Sequence, residues 1–198
     1  MPPIQYFAYG SNILRVRLLA RRVVLLDQGQ PAVAEGYKLS FNKGSIDGSS
    51  KANLAPASGQ KTWGVLFTVD PTSLDHLDSA EGAPVHYRRE YGLRVNTQSG
   101  QFQAMTYLAQ PDKILATPDQ PYDWYLALIL AGSIACPGFP RKWLAHLRQI
   151  AQPKPDLKQP PRKTFVEAVA QLKAAGHEKL QDLLTDSSTP CPPVAIRS

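Results

Sequence analysis

The sequence predicts an α+β fold: a mixed, mostly antiparallel sheet that can curl into a small β-barrel, with flanking helices and a C-terminal helical appendage. Three observations predict it. Several β-favouring segments follow one another at close spacing between residues 4 and 109, with few helices between them. Helical periodicity dominates from about residue 120 onward. A proline-rich stretch then separates a last amphipathic segment from the rest of the chain.

The first strand is predicted at residues 4–9, which are rich in β-favouring side chains. The run stops at Gly10, Ser11 and Asn12, which combine a turn residue with side-chain types that cap helices. A strand, a tight turn and a helix that begins near Ser11 are therefore expected in that order.

Five further strand segments are predicted. Residues 32–42 alternate apolar and polar side chains with a period of two, which is typical of a half-buried strand. The following residues, 43–51, are heavy in glycine and serine and predict a mobile loop. The remaining strands are predicted at residues 52–56, 62–69, 87–96 and 101–109, and the last two form a hairpin.

Three further helices are predicted in the main body of the chain. Asp70 and Pro71 give a capped start and Gly82 gives a stop, so a helix of about three turns fits between them. Residues 122–133 and 141–151 are two further segments with helical apolar periodicity. Together with the strands, these helices make up a predicted main domain at residues 1–151.

The remaining residues, 152–198, are predicted to form an appendage. Residues 152–163 hold four prolines among polar residues and predict an extended linker. An amphipathic helical segment at residues 164–184 follows, and everything after Asp186 is predicted to be disordered.

Charge and hydropathy exclude several classes of partner. The net charge is +6, but the 22 lysines and arginines are scattered and no aromatic-basic strand pattern accompanies them, so nucleic-acid binding is not expected. The longest uncharged apolar stretch, residues 124–139, is too short and interrupted to span a bilayer, so no membrane partner is expected. No secretory signal is visible, and a soluble, cytoplasmic protein is expected. The single basic cluster, predicted to be a solvated helix face, consists of Arg15, Arg17, Arg21 and Arg22.

Cysteine and histidine usage predicts neither a disulfide framework nor a metal site. Cys136 and Cys191 have no second pair, and the four histidines show no HxxH or HExxH spacing. Cys136 is expected to be a small buried hydrophobic residue.

The turn formed by Tyr9, Gly10, Ser11 and Asn12 is the first of two features that carry chemistry. A glycine-containing turn between a strand and a helix directs backbone N–H groups outward, where an anion or a developing oxyanion can bind. Neither GxxxxGK[ST] nor GxGxxG is present, so nucleotide binding through those motifs is not supported. The alternative is a simple strand-to-helix turn with Ser11 or Asn12 as its cap.

Glu81 is the second feature. It shares one helical face with Leu74 and Leu77, so its carboxyl group is expected to point towards the core. Burial and the negative end of the helix both disfavour the charged form, which would suit a group that accepts and returns a proton near neutral pH. The alternative is an exposed residue in the last turn of a frayed helix.

In combination, these residues resemble the γ-glutamylcyclotransferase family. The matching segments, in family order, are Tyr6-Phe7-Ala8-Tyr9-Gly10-Ser11-Asn12, Trp63-Gly64-Val65, Leu77-Asp78, Glu81-Gly82 and Tyr87. Residues 125–132 also resemble the helix in which the family places a substrate-contacting tyrosine, which is Tyr125 here. The resemblance extends over roughly residues 4–150.

The resemblance implies a mixed β-barrel and an enzyme without cofactor or metal that converts γ-glutamyl-amino acids into 5-oxoproline and the free amino acid. It implies that Glu81 is the general acid/base and that Tyr125 contacts the substrate. The residues implied to hold the γ-glutamyl group are Tyr6, Phe7, Ala8, Tyr9, Gly10, Ser11 and Asn12. The implied partner is a small γ-glutamyl molecule, and the family's tendency to dimerise leaves a homodimer open.

Several alternatives stay open at this point. Residues 83–86 differ from the vertebrate versions of the motif, so the leaving group is undefined, and a γ-glutamylamine cyclotransferase is a second possibility. A non-catalytic module that recruits a partner through residues 164–184 is a third. Arg88 and Arg89 flank a strand, so one of them must face inward. Asp78 could form a dyad with Glu81 or serve the structure alone.

Overall fold

A computed structural model describes residues 2–185, in which five strands close into a barrel and six helices lie around it. The strands are β1 (Ile4–Ala8), β2 (Gln30–Gly44), β3 (Ser50–Val69), β4 (Tyr87–Thr97) and β5 (Gly100–Ala109). Their order around the barrel is β1-β3-β2-β4-β5. All neighbouring strands are antiparallel except β5 and β1, which close the barrel in parallel. The predicted mixed barrel is confirmed.

Strand β3 corrects the prediction of two separate strands at residues 52–56 and 62–69, because it is continuous over 20 residues. Its register against β2 shifts between Glu35 and Tyr37, which pair with Lys61 and Pro56. The proline and glycine in this part of β3 mark a bulge, at which residues 57–60 have no counterpart in the regular pairing. The turn-forming residues therefore bend the strand and do not end it.

The segment at residues 43–51 is not the loop that its composition predicts. It contains the end of β2, a turn and the start of β3, and Ser45 N–H donates to Ser49 O at 2.9 Å. The Asp47 carboxylate accepts hydrogen bonds from the Ser49 hydroxyl at 2.7 Å and from Lys51 Nζ at 2.8 Å. Glycine and serine are equally typical of a tight turn whose polar groups bond to one another.

The helices are α1 (Arg15–Ala20), α2 (Leu74–Glu81), α3 (Asp123–Ala135), α4 (Arg141–Ala151), α5 (Lys163–Ala174) and α6 (Leu180–Thr185). A 3-10 turn, Ser11–Ile13, precedes α1, so the helix expected near Ser11 starts as a tighter turn. The predicted limits of α2 are close to the observed ones. Asp70 accepts from Thr72 N–H in the 3-10 turn before it, and Gly82, with φ 62°, ends it in the left-handed conformation.

Helix α3 is the centre of the helical layer. Ten of its residues, Trp124 to Ser133, are buried because the 3-10 turn before α1 and the helices α4, α5 and α6 cover α3 on several sides. Although α3 is strongly apolar, no helix within residues 2–185 combines the length and apolarity that crossing a membrane requires. Cys136, just beyond α3, is buried as expected, and burial raises the pKa of its thiol to about 11.

The C-terminal segment is integrated with the rest of the fold. The expected linker is extended but attached, since Asp123 N–H donates to Lys154 O at 2.9 Å and Lys154 N–H donates to Pro121 O at 3.0 Å. Helices α5 and α6 bury Leu172 and Leu183 in the same hydrophobic core as the barrel. Asp186 and the residues after it, including Cys191 and the predicted disordered tail, lie outside the described residues.

Candidate active site

The turn that follows β1 is clamped between the barrel and α3. A Cβ atom on Gly132 of α3 would lie 2.4 Å from Leu14 N and 2.6 Å from Ile13 C, so only glycine permits this close approach. A Cβ atom on Gly10 would lie 3.1 Å from Tyr125 Oη. Helix α3 therefore fixes the position of the turn and of the tyrosine hydroxyl beside it.

A small cavity of about 30 Å³ opens beside this turn at one end of the barrel, and it is called the inner cavity below. Half of its lining residues are tyrosines, so aromatic walls carry several hydroxyl groups. The lining consists of Tyr6, Tyr9, Gly10, Ser11, Asn12, Ala52, Glu81, Tyr87, Tyr107 and Tyr125.

Hydrogen bonds to the backbone hold three of the tyrosine rings in place. The Tyr9 hydroxyl donates to Tyr107 O at 2.5 Å and the Tyr87 hydroxyl donates to Ala52 O at 2.8 Å. Ala52 N–H in turn donates to Tyr125 Oη at 3.2 Å. Burial raises the pKa of Tyr125 to about 12, and it raises the pKa values of Tyr9 and Tyr87 well above the usual value. These hydroxyls are therefore neutral hydrogen-bond donors at physiological pH.

Glu81, the last residue of α2, is held by a network centred on Asn12. Asn12 Nδ2 donates to Glu81 Oε1 at 2.7 Å and to Tyr6 Oη at 2.9 Å. Arg21 Nη1 donates to Asn12 Oδ1 at 2.5 Å and lies 3.5 Å from Glu81 Oε1. The Glu81 side chain is only 17% exposed. The amide donor and the nearby guanidinium hold the Glu81 carboxyl group in position at the cavity wall.

The structure brings most of the expected site residues to the inner cavity. Tyr6, Tyr9, Gly10, Ser11, Asn12, Glu81 and Tyr125 all line it. Phe7 and Ala8 do not line it, although they belong to the same motif. Both are buried within β1, where the Phe7 carbonyl accepts a hydrogen bond from Thr106 Oγ1 at 2.8 Å. Adjacent residues of a strand point to opposite faces, so the Phe7 side chain points away from the face that carries Tyr6.

Arg17 and Arg21 correct the expectation of a solvated arginine face. Arg17 is only 9% exposed, and Arg21 reaches the Glu81 network. A signal was present in the spacing, because Arg17 and Arg21 fall on the same helical face as the buried Leu14 and Leu18. Arginine can extend its aliphatic stem along such a face while its guanidinium serves a site.

Asp78 holds Tyr107, a residue of the inner cavity wall, and forms no dyad with Glu81. Arg89 pairs with its carboxylate through Nε and Nη2, and the Tyr107 hydroxyl donates to Asp78 Oδ1 at 2.7 Å. The hydrogen bonds from Arg89 hold the pKa of Asp78 below its usual value. Arg89 is thus the arginine that faces inward, whereas Arg88 is exposed.

A wider space of about 390 Å³ adjoins the inner cavity and is called the outer vestibule below. Ser11, Glu81, Tyr87 and Tyr125 line both spaces. The other residues of the vestibule wall are Arg17, Arg21, Lys43, Ser45, Ile46, Asp47, Lys51, Ser79, Ala80, Gly82, His86, Trp124 and Thr164. Within residues 2–185, no three His, Cys, Asp or Glu side chains come together as a possible metal site.

Comparison with known proteins identifies the family. A family model described as gamma-glutamyl cyclotransferase, AIG2-like, matches residues 6–126, more than half of the chain. The chain belongs to this family. The matched residues contain the turn after β1, Glu81 and Tyr125, so the inner cavity of this cyclotransferase-family protein lies entirely within the family region.

Two curated relatives are gamma-glutamylcyclotransferases. The protein from Bos taurus is 29% identical over 102 residues and the protein from Homo sapiens is 28% identical over 109 residues. Each alignment covers 48% of this chain and 53% of the relative, so the chain spans about half the length of the curated relatives it matches.

A solved structure of a gamma-glutamyl cyclotransferase has the same fold. It superposes with a TM-score of 0.69 at 23% identity, and the superposition covers 85% of this chain and 99% of the other. The likeness therefore extends into the C-terminal part of this cyclotransferase-family chain, beyond the region that the family model matches.

Proposed function

We propose that this chain is a γ-glutamylcyclotransferase, which cyclises the γ-glutamyl group of γ-glutamyl-amino acids and releases 5-oxoproline and the free amino acid. One observation carries the proposal: the Glu81 carboxylate, fixed by Asn12, lines the same cavity as the turn at Gly10 and Ser11. Membership of the cyclotransferase family supports the same reaction class.

The reaction is intramolecular, because the α-amine of the substrate attacks its own γ-carbonyl carbon. The C–N bond of the new five-membered ring forms and the bond to the departing nitrogen breaks. The protein therefore has to fold a flexible substrate and transfer protons from the attacking nitrogen to the departing one, and correct positioning alone can lower such a barrier by several kcal/mol. Tyrosine rings on several sides of the inner cavity provide the walls that would hold the folded γ-glutamyl group.

The turn after β1 supplies backbone donors for the anionic parts of the substrate. Its first internal hydrogen bond runs from Ile13 N–H to Gly10 O at 3.0 Å. The N–H groups of residues 10–12 precede this bond, as the first N–H groups of any helical turn do. They are positioned to bind the substrate's α-carboxylate or the oxygen that becomes negative during attack.

Glu81 is proposed to move the proton. As a carboxylate, it accepts a proton from the substrate's α-ammonium group and so generates the free amine that attacks. It then donates this proton to the departing nitrogen, takes up the second proton that the ring nitrogen loses on becoming an amide, and passes it to the released amine, so that the amine departs as an ammonium ion and the carboxylate is restored. The contacts from Asn12 and Arg21 hold the Glu81 Oε1 atom in position.

The decisive experiment measures 5-oxoproline after incubation with a γ-glutamyl dipeptide such as γ-glutamylalanine. We expect turnover by the wild-type chain and a loss of about 10³-fold in kcat for Glu81→Gln, because general acid–base catalysis commonly contributes about 10²- to 10⁴-fold. Glu35→Gln, at an exposed position in β2, is the matched control and should retain full activity.

The melting temperature of Glu81→Gln should stay close to that of the wild type. Undiminished turnover by Glu81→Gln would refute the mechanism, and absence of 5-oxoproline with the wild type would refute the function. The alternative of a recruiting module is less favoured, because the apolar residues Leu172 and Leu183 of its presumed docking helices are already buried in the core.

A further inference from the structure

The outer vestibule carries an excess of positive charge next to the place where the leaving group must depart. We propose that Arg17 and Lys43 bind a carboxylate on the leaving group, so that the enzyme selects γ-glutamyl compounds whose departing amine carries this anion and discriminates against γ-glutamylamines. This inference rests on the proposed function, because it assigns the substrate class of the same site.

The charges in the vestibule wall do not balance. Its cationic side chains are Arg17, Arg21, Lys43 and Lys51, and its carboxylates are Asp47 and Glu81. Arg21 lies 3.5 Å from Glu81, and Lys51 lies 2.8 Å from Asp47. Among the residues that the structure describes, Arg17 and Lys43 have no carboxylate within ion-pair distance. A dianionic wall facing four cations leaves room for an anionic ligand.

Arg17 is buried without full compensation. It is 9% exposed, its Nη1 donates to Gln171 Oε1 at 2.8 Å, and its Nε is buried with no hydrogen-bond partner. Burial lowers the pKa of Arg17 to about 9, which still leaves the guanidinium charged at neutral pH. Buried cations are normally paired, because the loss of hydration is costly. A carboxylate from a bound substrate would provide the missing partner.

Lys43 lies beside the ring of Tyr87 in the wall of the vestibule. It is 5% exposed, and its Nζ lies 5.1 Å from the centre of the Tyr87 ring, which lines both the inner cavity and the vestibule. Burial lowers the pKa of Lys43, and the nearby negative charge of Glu81 opposes this effect. The Lys43 ammonium therefore lies beside a residue that lines both spaces, as Glu81 also does.

The geometry of the reaction leads a leaving-group carboxylate to this junction. The departing nitrogen must come close to Glu81 to receive its proton. In an α-amino acid, the carboxylate is attached to the carbon next to that nitrogen, so it must lie just outside the inner cavity. A simple alkylamine brings no charge to this position and would leave Arg17 and Lys43 uncompensated.

A matched pair of substrates tests the inference, because γ-glutamylalanine and γ-glutamylethylamide differ only in one carboxylate. We expect kcat/KM to be about 10- to 100-fold higher for γ-glutamylalanine, as removal of a partner from a charged hydrogen bond commonly produces a change of this size. Lys43→Gln should reduce this ratio to about 3-fold or less, whereas Lys43→Arg should largely preserve it. Lys61→Gln, at an exposed position in β3, should leave both rates unchanged.

Binding to the Glu81→Gln variant, measured by calorimetry, gives a readout that does not depend on turnover. γ-Glutamylalanine should bind at least about 10-fold more tightly than the ethylamide. Equal kcat/KM and equal Kd for the pair, with 5-oxoproline formed from both, would overturn the inference and leave the proposed function intact. Tighter binding of γ-glutamylalanine without any 5-oxoproline from the wild type would overturn the function and retain the anion site. If neither binding of γ-glutamylalanine nor formation of 5-oxoproline is detected, both the anion site and the proposed function are overturned.

Discussion

The inner cavity and the outer vestibule differ in how their charged groups are satisfied. In the inner cavity, the Glu81 carboxylate has an amide donor on one side and a guanidinium close by. In the vestibule, Arg17 has a neutral glutamine as its partner and Lys43 lies over an aromatic ring. We infer from this difference that the groups proposed to carry out the chemistry are held in place before the substrate binds. The groups proposed to select the ligand gain a charged partner only when the ligand binds.

The two regions also differ in which part of the chain builds them. Every residue of the inner cavity lies within residues 6–126, the region that the family model matches. The vestibule extends to Thr164, and its Arg17 is held by Gln171 of α5. Family-wide chemistry and individual selectivity can therefore be separated by mutation.

Among the substitutions that test this comparison, the largest effect is expected from Asn12→Ala, which breaks the inner network. The substitution removes the hydrogen bond that fixes Glu81 and leaves Tyr6 and Arg21 without their shared partner. We expect kcat to fall about 100-fold, since a misplacement of about 1 Å can cost this much. The ratio of kcat/KM for γ-glutamylalanine and γ-glutamylethylamide should not change.

Steady-state kinetics with both substrates checks this prediction, with Asn96→Ala in β4 as the matched control. Asn96 accepts a hydrogen bond from Gln101 at the surface, and it is not among the residues that line the inner cavity or the outer vestibule. An altered substrate ratio with unchanged kcat would show that Asn12 serves the vestibule, and the distinction between the two regions would fail.

A smaller effect is expected from Asp78→Asn, which weakens the support behind the inner cavity. The Arg89 pair lowers the folded-state pKa of Asp78, so its contribution to stability is complete above the unfolded-state value of about 4 and is lost as pH falls through the folded-state value. We expect Asp78→Asn to be destabilised by about 1 kcal/mol at pH 7, the size typical of a partly exposed pair. The gap should shrink as the pH falls below about 4.

Urea unfolding of the wild type and of Asp78→Asn at a series of pH values measures this gap directly. Asp112→Asn is a suitable control, because its pair with the neighbouring Lys113 lies at the exposed surface. A gap of constant size across the acid range would contradict the assigned role of the ionised Asp78 carboxylate.

The smallest effect is expected from Gln171→Ala, which alters the vestibule alone. Without Gln171, Arg17 loses its neutral partner and becomes less well oriented. We expect KM for γ-glutamylalanine to rise about 3-fold, the fold-change that corresponds to one modest hydrogen bond, with kcat nearly unchanged. Gln181→Ala on the exposed side of α6 is the control. A fall in kcat with constant KM would place Gln171 in the inner network instead.

Local patterns in the sequence predicted much of the fold. The limits of α2 followed from Asp70 and Gly82, because a cap and a left-handed glycine act on their immediate neighbours. The inward direction of Glu81 followed from its helical spacing with Leu77. The break expected inside β3 was wrong, since proline and glycine residues can mark a bulge as well as a turn.

Contacts between distant parts of the chain were beyond local patterns. The hydrogen bond between Arg17 and Gln171 joins residues 154 positions apart, and the sequence of neither segment predicts contact with the other. The same is true of Tyr107, which enters the inner cavity because β5 closes the barrel beside β1. The position of Arg21 could have been predicted, because its spacing from Leu14 and Leu18 places it on a buried helical face.

The missing side chain at Gly132 has a consequence for thermal motion in the protein. Helix α3 touches the backbone at Leu14 through this glycine, and it also carries Tyr125, whose hydroxyl stands beside Gly10 and accepts from Ala52. A slide of α3 would therefore disturb its contact with the turn and the hydrogen bond from β3 at the same time, so these two contacts together oppose it.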